Sequence, residues 1–417
     1  ASPWAVFQSR KLWTQNLPLF TLLFISSLLV LTVRRRSWAL VPAFAALGAL
    51  ISLHLGGLAF LVVFAAVLVL FRHRVRPRPL LVGFALLLLI LSPYLVHDAM
   101  HGWANLRAFG HLGSSGPSFN LRALTMGVRV VGGSHLEDLA GAQQDRFLSS
   151  ILDLRWLDQL EILLCWLGLV WSAWRVGREA VTHRGSLSPD GQARAVLLCW
   201  FLIPVALLTQ RPSIQPHDLN LLYPVQHLFL GLLLADAAAW IAPFFPRPGI
   251  TVISGPAALI SLLVVPLVAW QVYYQQALLS FVDGHDTPGG HGAPIKHTLE
   301  AAHRLETLDA SGGGEMVVLL PGGDPRYHGP AAVFDALLNH DRRLVDGRAA
   351  LVLPTRPSAY LVHPEAATAA SLLSELAVES KPPLPLREGR DAAYRFYRWE
   401  PGPVTPDEAC ADPPQWA

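Results

Sequence analysis

The chain alternates long apolar runs with short polar breaks. Leu17 to Val33 is the first run, and Arg34, Arg35 and Arg36 end it. Ser37 to Phe71 then carries 35 residues without an acidic or basic side chain, interrupted only by SLHLGG at Ser52 to Gly57. One helix of that length would reach about 52 Å, well beyond a ~30 Å hydrocarbon core. Both ends are basic, so two short helices returning to the same side are predicted, with His54 at their turn. Pro79 to His97, Arg155 to Val176, Ala195 to Thr209, the run after Asp218, and Thr251 to Leu279 bring the total to about eight spans.

Two stretches break this rhythm. The loop 98–154 contains Leu121, Leu124, Val128 and Val131 at helical spacing, an amphipathic helix that either lies in the interface or packs on the outer face of the bundle. Beyond 281 the pattern changes altogether. A Gly/Pro-rich stretch at 282–294 has the composition of a flexible linker. After it come a helix at Ile295 to Leu308, a strand at Met316 to Leu320 and a helix near Pro330 to Asn339. Short strands at Arg343 to Val345, Ala350 to Leu353 and Ala359 to Val362 follow, then a helix at Glu365 to Glu379 and a strand at Ala393 to Trp399. That alternation predicts a small α/β domain over 295–400, with a disordered tail at 401–417. The fold class expected is therefore a polytopic α-helical membrane protein: a multi-span domain at 1–281 and a small C-terminal extracytoplasmic α/β domain.

Composition agrees with the membrane assignment. Only 15% of residues are charged against 52% hydrophobic, with mean hydropathy +0.39, whereas soluble domains carry about a quarter charged. A net charge of +2 is too small to argue for nucleic acid. Cys165 and Cys199 lie in apolar runs and Cys410 in the tail, so no disulfide framework is indicated. Arginine sets the orientation. Segments 34–36, 72–79, 175–194 and 243–249 hold 12 Arg in 38 residues, while the alternating segments 1–16, 55–56, 98–155 and 210–218 hold 8 Arg and Lys in 85. The first set is expected in the cytoplasm. The N-terminus, loop 98–154, the Arg211 loop and everything after Leu279 are expected outside.

Three clusters fall at the outer level on that topology: Arg10 and Lys11 beside Trp13; Tyr94, His97 and Asp98; and Arg211, His217, Asp218 and Tyr223. Ionisable groups at the mouth of a membrane helix are expensive to hold there and are site candidates by default. A helix beginning at Leu219 would also aim its free N–H groups at an anion in the preceding loop. Arg10, Lys11, Arg211 and His217 are donor-phosphate candidates, since cations grip phosphate by charge-assisted hydrogen bonds. Tyr94, His97, Asp98, Asp218 and Tyr223 are candidates for lining a substrate cavity, where a carboxylate or His activates an incoming hydroxyl. Plain interfacial anchoring is the alternative for every cluster, and Asp98 capping the turn after its helix is another. His285, Asp286 and His291 match no standard metal spacing. LLPGGDP at Leu319 to Pro325 lacks the dinucleotide glycine pattern and reads as a turn. His97-Asp98 and His217-Asp218 are adjacent pairs, not a hydrolytic triad.

The order SPWAVFQSR…LWTQNLP, a span, RRR, ALGALISLH, LSPYLVHDAMHGWANL and PHDLNLLYPVQHLFLGLLLAD resembles the GT-C membrane glycosyltransferases. Within them it is most similar to bacterial family-39-like enzymes, relatives of protein O-mannosyltransferases and of the lipid A aminoarabinose transferase. The resemblance implies a bacterial plasma-membrane enzyme that moves a sugar from a polyprenyl-phosphate donor to an extracytoplasmic acceptor. It implies no certain cofactor and admits a divalent metal. Its catalytic acid is expected in a first outer loop. No stretch here corresponds to that loop, so the chain reads as the C-terminal part of a longer enzyme. Competing readings are a membrane anchor presenting the α/β domain and, behind it, a transporter or flippase.

Overall fold

The computed structural model describes residues 18–105, 107, 120–210, 214, 216–244, 255–309, 314–386 and 392–401. They form two compact units. One comprises residues up to Leu136 together with Ile151–Gln276; the other comprises Glu137–Ser150 and the chain from Ala277.

The first unit is a helical bundle. Its helices are α1 (Pro18–Thr32), α2 (Leu40–Leu53), α3 (Ala59–Leu70), α4 (Pro77–Met100) and α5 (Arg122–Arg129). In the second unit a seven-residue helix, α6, covers Gln144–Ser150. The bundle continues with α7 (Trp156–Thr182), α8 (Pro189–Leu208) and α9 (Val225–Ile241), and α10 (Gly255–Gly284) passes from the first unit into the second. Five stretches among the described residues, Pro77–Met100, Trp156–Thr182, Pro189–Leu208, Asp218–Phe244 and Gly255–Gly284, are long and apolar enough to cross a membrane. This is a membrane protein, with five such helices among the described residues. The other three of the eight expected spans are shorter apolar helices.

The break predicted at Ser52 to Gly57 is where the apolar stretch divides. A 3-10 turn at Leu55–Leu58 separates α2 from α3, and the His54 ring accepts the Gly56 N–H at 3.0 Å. Rings lock the N-terminal helices together: Phe24 meets Phe60 and Phe64 at centroid distances of 5.4 and 5.8 Å, and Phe44 meets Phe64 at 4.6 Å. Glycines allow the close approaches that lipid-embedded helices depend on. A Cβ at Gly83 would strike the Phe44 ring, and one at Gly168 the Phe229 carbonyl. Ser188 caps α8 by accepting the Gly191 N–H at 3.1 Å, with Pro189 in the first turn, where its missing N–H is no loss.

α9 departs from expectation. The segment Pro216–Leu222 is 3-10, and the α-helix starts at Val225 rather than Leu219. Proline supplies the reason, since Pro224 disfavours α geometry at Tyr223 and has no N–H to donate. It becomes the residue before the helix. The N–H groups of a helix at Leu219 are therefore not available as an anion site.

The second unit contains a five-stranded sheet in the order β2-β1-β3-β5-β4. Its strands are β1 (Glu315–Leu320), β2 (Arg342–Asp346), β3 (Ser358–Val362), β4 (Val378–Pro385) and β5 (Ala393–Trp399). β1 pairs parallel with β2 and β3; β5 runs antiparallel to β3 and β4. Helices α11 (Ile295–Asp309), α12 (Gly329–Leu337) and α13 (Ala367–Leu376) complete the unit. β1 is covered on both faces, as a central parallel strand must be. Met316, Val318 and Leu320 pack with Ala301, Leu305 and Phe334 on one side, and Val317 and Leu319 pack with Ala369 and Leu373 on the other.

Two sequence readings differ here. Ala350 to Leu353 is not a strand; its carbonyls serve side chains, Val352 accepting the Tyr360 hydroxyl at 2.5 Å. β4, VESKPPLP, has no counterpart in the sequence reading. Its prolines fit only an edge strand, which is its place in the sheet. Within the Gly/Pro-rich stretch, Thr287 is buried and bridges to Gly292, and the His291 N–H donates to the Leu139 carbonyl at 2.8 Å.

Candidate functional site

One group of the bundle's buried polar side chains gathers around α5. This amphipathic segment packs against α7, α8 and the 216–222 turn, with Ala123, Met126, Gly127 and Val128 buried. The buried stripe is rotated from the one expected, because Leu121 is exposed while small residues face the neighbouring helices. A Cβ at Gly127 would lie 3.2 Å from Leu222, a close fit that glycine permits. Its carbonyl accepts the Gln226 amide of α9 at 2.7 Å.

From this hub the polar layer extends both ways. On one side lie Asp158 and Glu161, three residues apart on α7 and therefore on one face of it. They are 1% and 4% exposed. The Trp270 indole donates to Asp158 at 2.8 Å, and the Gln271 amide donates to Glu161 at 2.5 Å and to the Val131 carbonyl at 3.3 Å. On the other side are Asp218 and Asn220, both buried in the 3-10 turn, where the Trp200 indole donates to the Leu221 carbonyl at 2.8 Å. That turn lies against the 55–58 turn after His54: a Cβ at Gly56 would be 3.0 Å from Leu221. Tyr223, half-buried, places its ring edge-on to His227 with centroids 5.5 Å apart. Buried carboxylates in an apolar bundle are costly to retain, and donors fixed on them hold the oxygens in place.

The expected residues distribute unevenly over this layer. Asp218 and Tyr223 belong to it, and His217 falls in the same turn. Tyr94, His97 and Asp98 stand together on the last turns of α4, which packs on α2. Tyr94 and His97 are exposed; the His97 ring lies 4.1 Å from that of His101. Asp98 is buried, accepts the Asn105 N–H at 2.8 Å, and its carbonyl accepts the Trp103 N–H at 2.7 Å. Turn capping, the plain alternative, accounts for those contacts. Arg10, Lys11 and Arg211 lie outside the described residues. Arg122 and Arg129, exposed on α5, were not singled out from sequence; among the described residues neither makes an ion pair. Their signal was basic residues on the polar face of an amphipathic stretch.

A second polar cluster is structural. Asp236 of α9 accepts from the Trp171 indole at 2.7 Å, from Arg175 at 2.8 Å and from Arg194 at 2.9 and 3.1 Å. Arg194, 1% exposed, also reaches Asp190 at 2.9 Å and the Ser172 hydroxyl at 3.2 Å. These bonds staple α7, α8 and α9 together. Among the described residues no group of three or more His, Cys, Asp or Glu is arranged to hold a metal.

No family model, no curated protein and no solved structure matches this chain.

Proposed function

We propose that the protein is a membrane glycosyltransferase of the bacterial plasma membrane, moving a sugar from a polyprenyl-phosphate donor to an extracytoplasmic acceptor. The observation that carries this reading is the layer of buried carboxylates, Asp158, Glu161 and Asp218, around α5. Two needs of such a transfer fit it. An acceptor hydroxyl must lose its proton as it attacks, and a carboxylate fixed by neutral donors is suited to take it. The departing lipid phosphate gains negative charge, which arginine side chains would stabilise by hydrogen bonds. Arg122 and Arg129 join Arg10, Lys11, Arg211 and His217 as candidates for this second role. On the orientation set by arginine density, the layer faces the outer leaflet and the α/β unit lies outside the cytoplasm.

The test is sugar transfer in membranes containing the full-length protein, for Asp98→Ala, Asp218→Asn, Glu161→Gln and Arg211→Ala beside the parent. Expected is a fall of roughly 10²-fold or more in at least one carboxylate variant at unchanged folded amount. Full transfer by all four variants would sink the assignment. Partner binding by the α/β unit with no sugar transfer would favour the membrane-anchor reading.

A further inference from the structure

The α/β unit carries a cavity that sugar transfer in the bundle does not use. It encloses about 300 Å³ between α13 and the start of β5, at the carboxyl end of β3. In open sheets with parallel strands, ligands are held outside the carboxyl ends of those strands. His363, Ser371, Ser374 and Arg395 are its polar lining, and no acidic residue lines it.

The histidine is fixed as a donor. Its backbone N–H donates to the Leu319 carbonyl at 2.9 Å, placing it beside β1. Its ring Nδ1 accepts the Glu365 N–H at 3.1 Å, so the neutral ring carries its proton on Nε2. Tyr394 packs edge-on to the ring with centroids 5.5 Å apart. Burial lowers its pKa to about 4, which keeps this neutral tautomer at physiological pH. Among the described residues Nε2 has no hydrogen-bond partner, although the residue is only 9% exposed.

The cation arrives from the next strand. Arg395 pairs with Val362 in the β3–β5 register, so it shares the face that carries α13. It is exposed and makes no ion pair among the described residues. α13 begins beside it without a side-chain cap, so the positive end of that helix adds to the same potential. The geometry points to a small-oxyanion site: a phosphate or carboxylate group held by Arg395, His363 Nε2–H and the Ser371 hydroxyl.

The experiment titrates inorganic phosphate, and separately acetate, against the full chain in phosphate-free detergent micelles. The ³¹P and ¹³C line widths report binding. Saturable broadening of either anion, weakened roughly tenfold by Arg395→Gln, is the result expected for loss of a charge-assisted bond. Phosphate alone, or acetate alone, identifies which oxyanion the site takes. Arg395 is exposed, so its variant leaves the sheet core intact; Ser371→Ala is a second, independent variant expected to weaken the same signal. Broadening by neither anion, or broadening untouched by Arg395→Gln, overturns the proposal.

Discussion

Removing the Asp236 carboxylate should unlock the bundle, and the structure gives the scale. Asp236→Leu takes away the acceptor of four hydrogen bonds from Trp171, Arg175 and Arg194. Arg175, 35% exposed at its side chain, is water-screened, so its share is at most about 1 kcal/mol. Arg194 decides the cost, because its side chain is 2% exposed. Breaking a buried ion pair by deleting one partner typically costs about 3–5 kcal/mol. Arg194 keeps Asp190 and Ser172, which moves the expectation toward about 3 kcal/mol. Removing the second charge as well, in Arg194→Met with Asp236→Leu, should recover about 1–3 kcal/mol of that loss, since no buried charge is then stranded. Equilibrium unfolding in mixed micelles, scored by tryptophan fluorescence, measures Asp236→Leu, Arg194→Met and the double variant. Asp236→Leu within about 1 kcal/mol of the parent, or strictly additive effects, would refute the staple.

Other expectations follow from single contacts. Gly168→Ala drives a methyl into the Phe229 carbonyl and should destabilise the α7–α9 contact by about 1–3 kcal/mol, read in the same titration. Leu361→Ala, in the middle of the fully buried β3, should cost the α/β unit about 2–5 kcal/mol and speed hydrogen exchange along β1 and β3. Burial depresses the His363 pKa from 6.5 to about 4, so below pH 6.5 the unfolded chain binds a proton that the folded one refuses. That contribution is complete above pH 6.5 and is lost as pH falls toward 4, by about 3 kcal/mol at most. His363→Gln should flatten the loss; an unchanged pH profile would contradict the assignment.

Much of this architecture is legible in sequence because apolar run length and arginine stops are physical constraints of a bilayer. The α2–α3 break follows from a length argument, and β1, β3, β5 and α11 from period and composition. Ala350 to Leu353 misleads because apolar β-formers also pack as loop when side chains satisfy their carbonyls: the Trp399 indole donates to the Pro354 carbonyl just beyond, at 2.9 Å. β4 is hidden because three of its eight residues are prolines, a composition that only an edge tolerates. The site is half legible. Asp218 and Tyr223 stand out beside a proline at a helix mouth, whereas Asp158 and Glu161, near the start of their apolar run, are not among the candidates that the sequence singles out. Their union with Gln226, Trp270 and Gln271 depends on tertiary packing around α5, with partners more than 60 residues distant in sequence.

We propose above that the buried carboxylate layer takes part in sugar transfer from a lipid phosphate. It is tested most directly by giving the full-length protein, reconstituted in liposomes, a panel of polyprenyl-phosphate sugars labelled in the sugar. Label should move from lipid to an extracytoplasmic acceptor for at least one donor, with transfer lowered in Glu161→Gln or Asp218→Asn. Label that stays on the lipid with every donor, for parent and variants alike, would contradict it.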